Sequence, residues 1–374
     1  MITVSHGNRS PWISIPLTLG FAALLLVAIG DSASAGSTKS GMVYVLSNRA
    51  SANRVLTFDR AADGSLTQAG SYATGGLGSG AGLGSQGSLV WSQNARWLVA
   101  VNAGSDDVSI FRARADGLKL RDVAPSGGAF PISVDVAGRL VYVLNDATDD
   151  ISGLRISDRG NLRPIRRSTR PLSGPDISPA QISFTPGRRH VVVTEKNTNL
   201  IDTYKVRANG RLRAPLSQGS AGETPFGFDF ASRKLIVSEA FASAADASAL
   251  SSYDVGRTGV LDAVSASVGD RQTAACWVVA TSNGRFAYTT NAGSGSISSY
   301  EVARGGKLHL LRAVAGSTGA SPTDADLSAG DSYLYSVNAG SHSISGFLVH
   351  ADGTLTPVGE LSGLPASAVG LAAS

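Results

Sequence analysis

Asn291–Tyr300 reads NAGSGSISSY, and the same opening returns as NAGSDDVSIF over Asn102–Phe111 and NAGSHSISGF over Asn338–Phe347. In each copy a small polar turn feeds a short run in which apolar and polar residues alternate. That pattern predicts a turn followed by a β-strand. Three copies so far apart make an internal repeat the first question to settle.

The repeat extends well beyond the turn. Each run closes on an aromatic residue or Leu: Phe58, Phe111, Leu154, Tyr204, Tyr253, Tyr300 and Phe347. Three positions earlier stands an aliphatic residue in every copy, as in Val55, Ile151 and Ile344. Six positions later stands a glycine in every copy: Gly64, Gly117, Gly160, Gly210, Gly259, Gly306 and Gly353. A hairpin must reverse at that point, and glycine accepts positive φ there at little cost. Upstream of the turn lies another strand pattern, such as LVYVLN (Leu140–Asn145) or HVVVTE (His190–Glu195), and in six units a further apolar segment precedes it. Units of about 48 residues, each with four short strands, are the signature of a β-propeller. The fold predicted is all-β, a seven-bladed β-propeller with four-stranded blades.

The first unit, beginning at Gly41, lacks its innermost strand, while PASAVGLAA (Pro365–Ala373) is left over after the seventh. The C-terminal strand is therefore expected to join the first blade and close the ring, making residues 41–374 one domain. Closure of this kind removes an open sheet edge.

Residues 1–35 differ in kind. An n-region containing Arg9 leads into WISIPLTLGFAALLLVAIG (Trp12–Gly30), and Ala33-Ser34-Ala35 fits the small-x-small pattern of a signal-peptidase site. The expectation is a cleaved signal peptide over 1–35 and a short linker over 36–40; the alternative is a single membrane anchor. Localisation would then be secreted or periplasmic, as a soluble monomer with no stable membrane insertion after signal removal. A formal charge of +4 without a block of like charges makes nucleic acid a poor partner. Its densest basic stretch, RPIRRSTR (Arg163–Arg170), reads as the solvated outer edge of a sheet. The lone cysteine, Cys276, lies in ACWVVA and reads as a core residue, so no internal disulfide is expected.

Propellers bind ligands at one end of the central channel, among innermost strands and the loops beside them. Two units replace the turn's Asn with a carboxylate, Glu195 and Glu239, and these are the catalytic candidates together with Gln181. Asp135, Asp229 and Asp326, with Asp324, are placed on innermost strands, where they could face the channel or tie strands by buried hydrogen bonds. Asp135, Asp229, Asp326 and Arg271 are the ligand-binding candidates. The glycine-rich stretch GGLGSGAGLGSQG (Gly75–Gly87) contains a G-x-G-x-x-G at Gly82, Gly84 and Gly87, but no βαβ unit surrounds it. It reads as a rim loop, offering N–H groups to an anion or acting as a flexible cover. His190, His309, His342 and His350 are scattered over three units without metal-ligand spacing, so neither metal nor cofactor is expected.

Units such as GRLVYVLNDATDDISGLRI (138–156) and GRFAYTTNAGSGSISSYEV (284–302) resemble those of the lactonase-type seven-bladed propellers. That family includes phosphogluconolactonases and carboxymuconate-cyclising enzymes, and the resemblance covers residues 41–374. It implies a His-x-His pair entering an inner strand, where this chain has Ser178 and Ala180 in SPAQISFTPGR. It also implies an Arg-His entry to the next blade, where this chain has Phe226 and Gly227, and an acidic rim position, which Glu239 matches. Two functions follow as expectations. One is an exported enzyme that opens or forms a small lactone with a rim carboxylate. The other is a non-catalytic propeller binding a glycan, small anion or protein on its channel face.

Overall fold

All seven repeat glycines sit at positive φ in the turns joining third to fourth strands, from +81° at Gly210 to +122° at Gly117. These turns occur in a computed structural model that describes residues 40–114 and 117–374. The predicted signal peptide and nearly all of the predicted linker therefore lie outside the described residues. The strands assemble into seven sheets, each with four strands in sequential antiparallel order. The outermost strand of blade three is broken into Leu162–Pro164 and Arg170–Pro171, with the exposed Arg166 and Arg167 in the gap. The basic stretch is thus a solvated outer edge. Among the described residues, helix is confined to two 3-10 turns, and none is long and apolar enough to cross a membrane.

Blade one is built from both ends of the described chain. Its innermost strand is Val369–Ala373, paired antiparallel with Gly41–Leu46, and the sheet continues through Arg54–Arg60 to Leu66–Ala73. The hydrophobic clusters lie between consecutive blades rather than at one centre. One joins Trp97, Val99 and Ile110 of blade two to Val134, Val143 and Leu154 of blade three; another joins Tyr335 and Val337 of blade seven to Val43, Phe58 and Leu371 of blade one.

The repeat glycines have a second reason to lack a side chain. The Tyr142 hydroxyl in blade three donates to the Gly210 carbonyl of blade four (2.8 Å), and Tyr335 of blade seven donates to Gly64 of blade one (2.7 Å). A Cβ on Gly64 would lie 2.3 Å from the Tyr333 ring, and one on Gly210 2.7 Å from Leu140. The glycine therefore serves both its own reversal and the fit to the preceding blade.

Inner-strand carboxylates hold the blades at the channel. Asp135 of blade three accepts the Phe184 N–H of blade four (2.7 Å) and the Ser183 hydroxyl (2.8 Å). Asp229 of blade five accepts Ala280 N–H of blade six (2.8 Å), and Asp326 of blade seven accepts Ala373 N–H of blade one (2.9 Å). Gln181 plays the neutral version, its Oε1 accepting Phe228 N–H at 2.6 Å. Asp324 repeats the contact one level up, to Leu371 N–H. The sequence reading allowed ties between strands; the structure makes them ties between blades.

Burial pushes the Asp326 carboxyl up to about 7 and Asp229 up to about 6, against the backbone donors that favour the ionised form. Both values exceed the ordinary unfolded one, so the folded chain holds more protons between about pH 4 and pH 7. Stability is then fully present below that window and is lost as pH rises through it. His190, kept neutral by burial, opposes this weakly just below its usual pKa. Urea unfolding should give a lower unfolding free energy at pH 8 than at pH 5, and Asp326→Asn should flatten the slope. A slope of the opposite sign would contradict this assignment.

Candidate functional site

Glu239 ends the second strand of blade five (Lys234–Glu239) and is fully buried. Its Oε1 accepts Gly222 N–H (2.8 Å) and the Ser251 hydroxyl (2.5 Å), and its Oε2 accepts the Ser267 hydroxyl (2.6 Å). Ser251 and Ser267 belong to the third and outermost strands, so the carboxylate is turned outward into its own blade, away from the channel. Burial raises its pKa while the serine hydroxyls and Gly222 N–H counter that. Glu195 is likewise fully buried, accepting Ser173 N–H (3.0 Å), the Ser173 hydroxyl and the Thr198 hydroxyl (2.7 Å). Neither carboxylate is free to meet a substrate at the rim.

Their position explains the repeated asparagine. Asn291 donates from Nδ2 to Ser296 (3.1 Å) and Ser298 (2.8 Å), and Asn338 does the same to Ser343 and Ser345. In blades two, three, six and seven the Asn ending the second strand thus ties down the third strand. In the last two the sequence carries that signal as serines five and seven places after the Asn. Glu239 answers Ser251 in the same way through its longer side chain.

Gln181, Asp135, Asp229 and Asp326 are each engaged in the contacts between blades described above. Arg271 is exposed in the link between blades five and six, and its side chain bonds to none of the described residues. The structure therefore does not bring the catalytic candidates together, nor Arg271 to them.

The end of the glycine-rich stretch, Ser85–Gln86, is buried and packs into the ring as a plug. Gln86 N–H donates to Ala180 O of blade four (3.0 Å), while its side-chain amide donates to Val278 O (2.8 Å) and accepts Val278 N–H (3.1 Å) of blade six. Ser85 donates to Ile132 O of blade three (2.8 Å) and accepts the Trp277 indole N–H (2.9 Å). One dipeptide thus touches three blades and spans the rim end of the channel. Gly227 makes this possible, since a Cβ there would stand 2.2 Å from Gln86 Oε1 and 2.5 Å from Cys276 O. Where the resemblance implies a histidine, this chain needs a glycine to admit Gln86.

Beside the plug sits a group of residues the sequence reading missed. Lys196 donates from Nζ to Gly84 O (2.6 Å) and lies 4.7 Å above the Phe226 ring, which packs on Trp277 at 5.0 Å. Burial holds its ammonium below the ordinary lysine range, partly offset by Asp146. Burial raises the Asp146 carboxyl, with Lys196 as the opposing influence. Asp146 and Lys196 each follow the residue ending the second strand, in consecutive blades, where the NAGS units have Ala. That replacement of Ala by opposite charges was the available signal. Cys276 below them is buried, its thiol pushed up to about 12 and donating to Ala274 O, so it behaves as core. Among the described residues no group of three His, Cys, Asp or Glu could hold a metal.

An ammonium over an aromatic ring, with an interacting carboxyl and both of displaced pKa, can bind a carbonyl or carboxylate and move a proton. Removing the plug's amide should show at equilibrium. Gln86→Ala leaves the Val278 N–H and C=O without partners and should cost about 1–3 kcal/mol in denaturant unfolding. Gly227→Ala should be at least as damaging, and unchanged midpoints in both variants would refute the plug.

The family described as "Lactonase, 7-bladed beta-propeller" matches residues 34–175, 88–272 and 258–368. A search of curated proteins returned no significant match. Among solved structures, a Lactobacillus plantarum protein superposes with a TM-score of 0.71 at 18% identity, covering 90% of this chain and 99% of its own. The periplasmic gluconolactonase of Pseudomonas aeruginosa gives 0.68 at 16% identity, covering 89% and 99%. Identities this low establish the shared fold and nothing finer, whereas the family match runs almost the whole length. The chain belongs to the lactonase family of seven-bladed β-propellers.

Proposed function

We propose that this protein is exported and opens a small lactone at its plugged channel mouth, using Lys196 and Asp146. The observation that carries this reading is that Asp146 and Lys196 are interacting opposite charges whose side chains make no hydrogen bond within the blades, Lys196 bonding only to Gly84 O of the plug, whereas Glu195 and Glu239 are spent on hydrogen bonds at their own strands. Export is supported by the apolar run Trp12–Gly30 with Ala33-Ser34-Ala35 after it. The lactone class is supported by the family and by the fold shared with the periplasmic gluconolactonase of Pseudomonas aeruginosa.

In this reading the ionised Asp146 takes a proton from water, and the resulting hydroxide oxygen bonds to the lactone carbonyl carbon. The Lys196 ammonium stabilises the oxyanion that forms. Collapse breaks the ring C–O bond, and the leaving alkoxide takes back the proton held by Asp146, giving the hydroxy acid and restoring the carboxylate. The rate should rise as pH passes the raised Asp146 pKa and fall towards the lowered Lys196 pKa, a bell narrowed from both sides.

One observation favours a second reading. Gln86 is buried and bonded through its side chain to Val278 of blade six, and a channel closed in this way suits binding of a small anion, glycan or protein without turnover. Proton release from sugar and muconate lactones, measured against the spontaneous rate, separates the two. Asp146→Asn and Lys196→Met should each lower kcat/KM by about 100-fold or more, while soluble Glu239→Gln should retain it. Absence of acceleration on every lactone, with a carboxylate ligand stabilising wild type but not Lys196→Met, would replace catalysis by binding.

A further inference from the structure

Basic residues outnumber acids in the turns opposite the rim, although Asp63, Asp158, Asp331 and Asp352 stand there too, and Arg49, Lys196 and Arg271 stand on the rim face. Turns on the rim face carry Asp106, Asp149, Asp176, Glu223 and Asp246, together with Asp146. Turns on the opposite face, joining first to second and third to fourth strands, carry Arg139, Arg188, Arg189, Arg207, Arg233 and Arg257. Some of these are engaged: Arg139 pairs with Asp158, and Arg188 donates to Gln93. Arg189, Arg233 and Arg257 are not, since none makes a side-chain hydrogen bond or ion pair with a described residue.

Those three line one cleft of about 200 Å³ between blades four and five, with Thr185, Pro186, His190, Phe230 and Val255 as walls. A second depression beside it shares Arg189 and Arg257 and adds Arg188, Lys205 and Arg207. No carboxylate lines either depression; the neighbouring Asp254 is already paired with Lys234 at 2.6 Å. Like charges gathered without counter-charge repel, and such an arrangement is stabilised by an anion. His190 gives an independent sign. It lines the cleft, is 2% exposed, and its Nε2 has no hydrogen-bond partner among the described residues. That atom is closed off from the cleft itself, so a ligand would pair with it only through a turn of the ring.

We propose that this cleft, on the face opposite the plugged mouth, binds a phosphate group carried by a small molecule through Arg189, Arg233 and Arg257. Three exposed arginines lining one cleft offer more donors than the two oxygens of a carboxylate can take up, and a phosphate dianion presents three acceptor oxygens. The Phe230 ring in the wall gives an apolar surface for the organic part. The site is separate from the lactone reading and does not depend on it.

Calorimetric titration of the mature chain with inorganic phosphate at constant ionic strength, beside acetate, tests the proposal. Phosphate should bind one-to-one and at least tenfold tighter than acetate. Arg189→Gln, Arg233→Gln and Arg257→Gln should each weaken it about tenfold or more, while Arg312→Gln on the outer strand of blade six should leave it unchanged. In nitrogen-15 spectra the His190 ring signals should move with phosphate and those of His309 should not. Phosphate binding no tighter than acetate, or undiminished in the three cleft variants, would overturn the proposal. So would retention on phosphatidate vesicles by a chain that ignores soluble phosphate, because the surface would then be reading a lipid.

Discussion

An innermost strand of a propeller blade pairs on one side only, and its other edge faces the channel with N–H groups that no neighbouring strand can reach. The rest of this structure depends on how those donors are met. In blades three, four, five and seven a side chain of one blade accepts an N–H from the next, through Asp135, Gln181, Asp229 and Asp326. Where blade five offers only Gly227, the amide of Gln86 reaches in from the link between blades one and two and meets Val278 instead. Burying an unmet donor costs more than a typical hydrogen bond contributes, so acids line the channel for the backbone's sake. Their raised pKa values are the consequence of that placement and not a mark of catalysis.

Much of the fold was legible because the repeat fixes registers that the chain must obey. The seven glycines marked the turns between third and fourth strands, and the surplus strand at the C-terminus implied the closure that Val369–Ala373 makes with Gly41–Leu46. Contacts between blades were harder to read, since they join residues about one repeat apart: 49 positions from Asp135 to Phe184, 51 from Asp229 to Ala280 and 47 from Asp326 to Ala373. The periodicity was visible, but which donor each acid meets depends on how neighbouring blades stagger.

The candidate site was less legible, for a physical reason. Glu195 and Glu239 stood out as exceptions to Asn, yet an exception in a repeat is also how a blade adjusts its own packing. Glu239 replaces a short amide by a longer acceptor and collects Gly222, Ser251 and Ser267 around it. Lys196 and Asp146 occupy a position where the three NAGS units have Ala, so those blades close without a charge there. Ser178, Ala180 and Gly227, at the places where the resemblance implies histidines, agree with a mouth rebuilt around Gln86: its N–H donates to Ala180 O, and a side chain on Gly227 would collide with it.

Amide hydrogen exchange is the most direct test of the clasped channel. The N–H groups of Phe184, Ala280, Ala373 and Val278 face a channel that, without side-chain acceptors, would leave them as open strand edges. If Asp135, Asp229, Asp326 and Gln86 hold them, these four should exchange only through global unfolding, as slowly as the central strands of their blades. Exchange at the rate of exposed edge amides would contradict the account, and would return the channel acids to the list of groups free to act on a ligand.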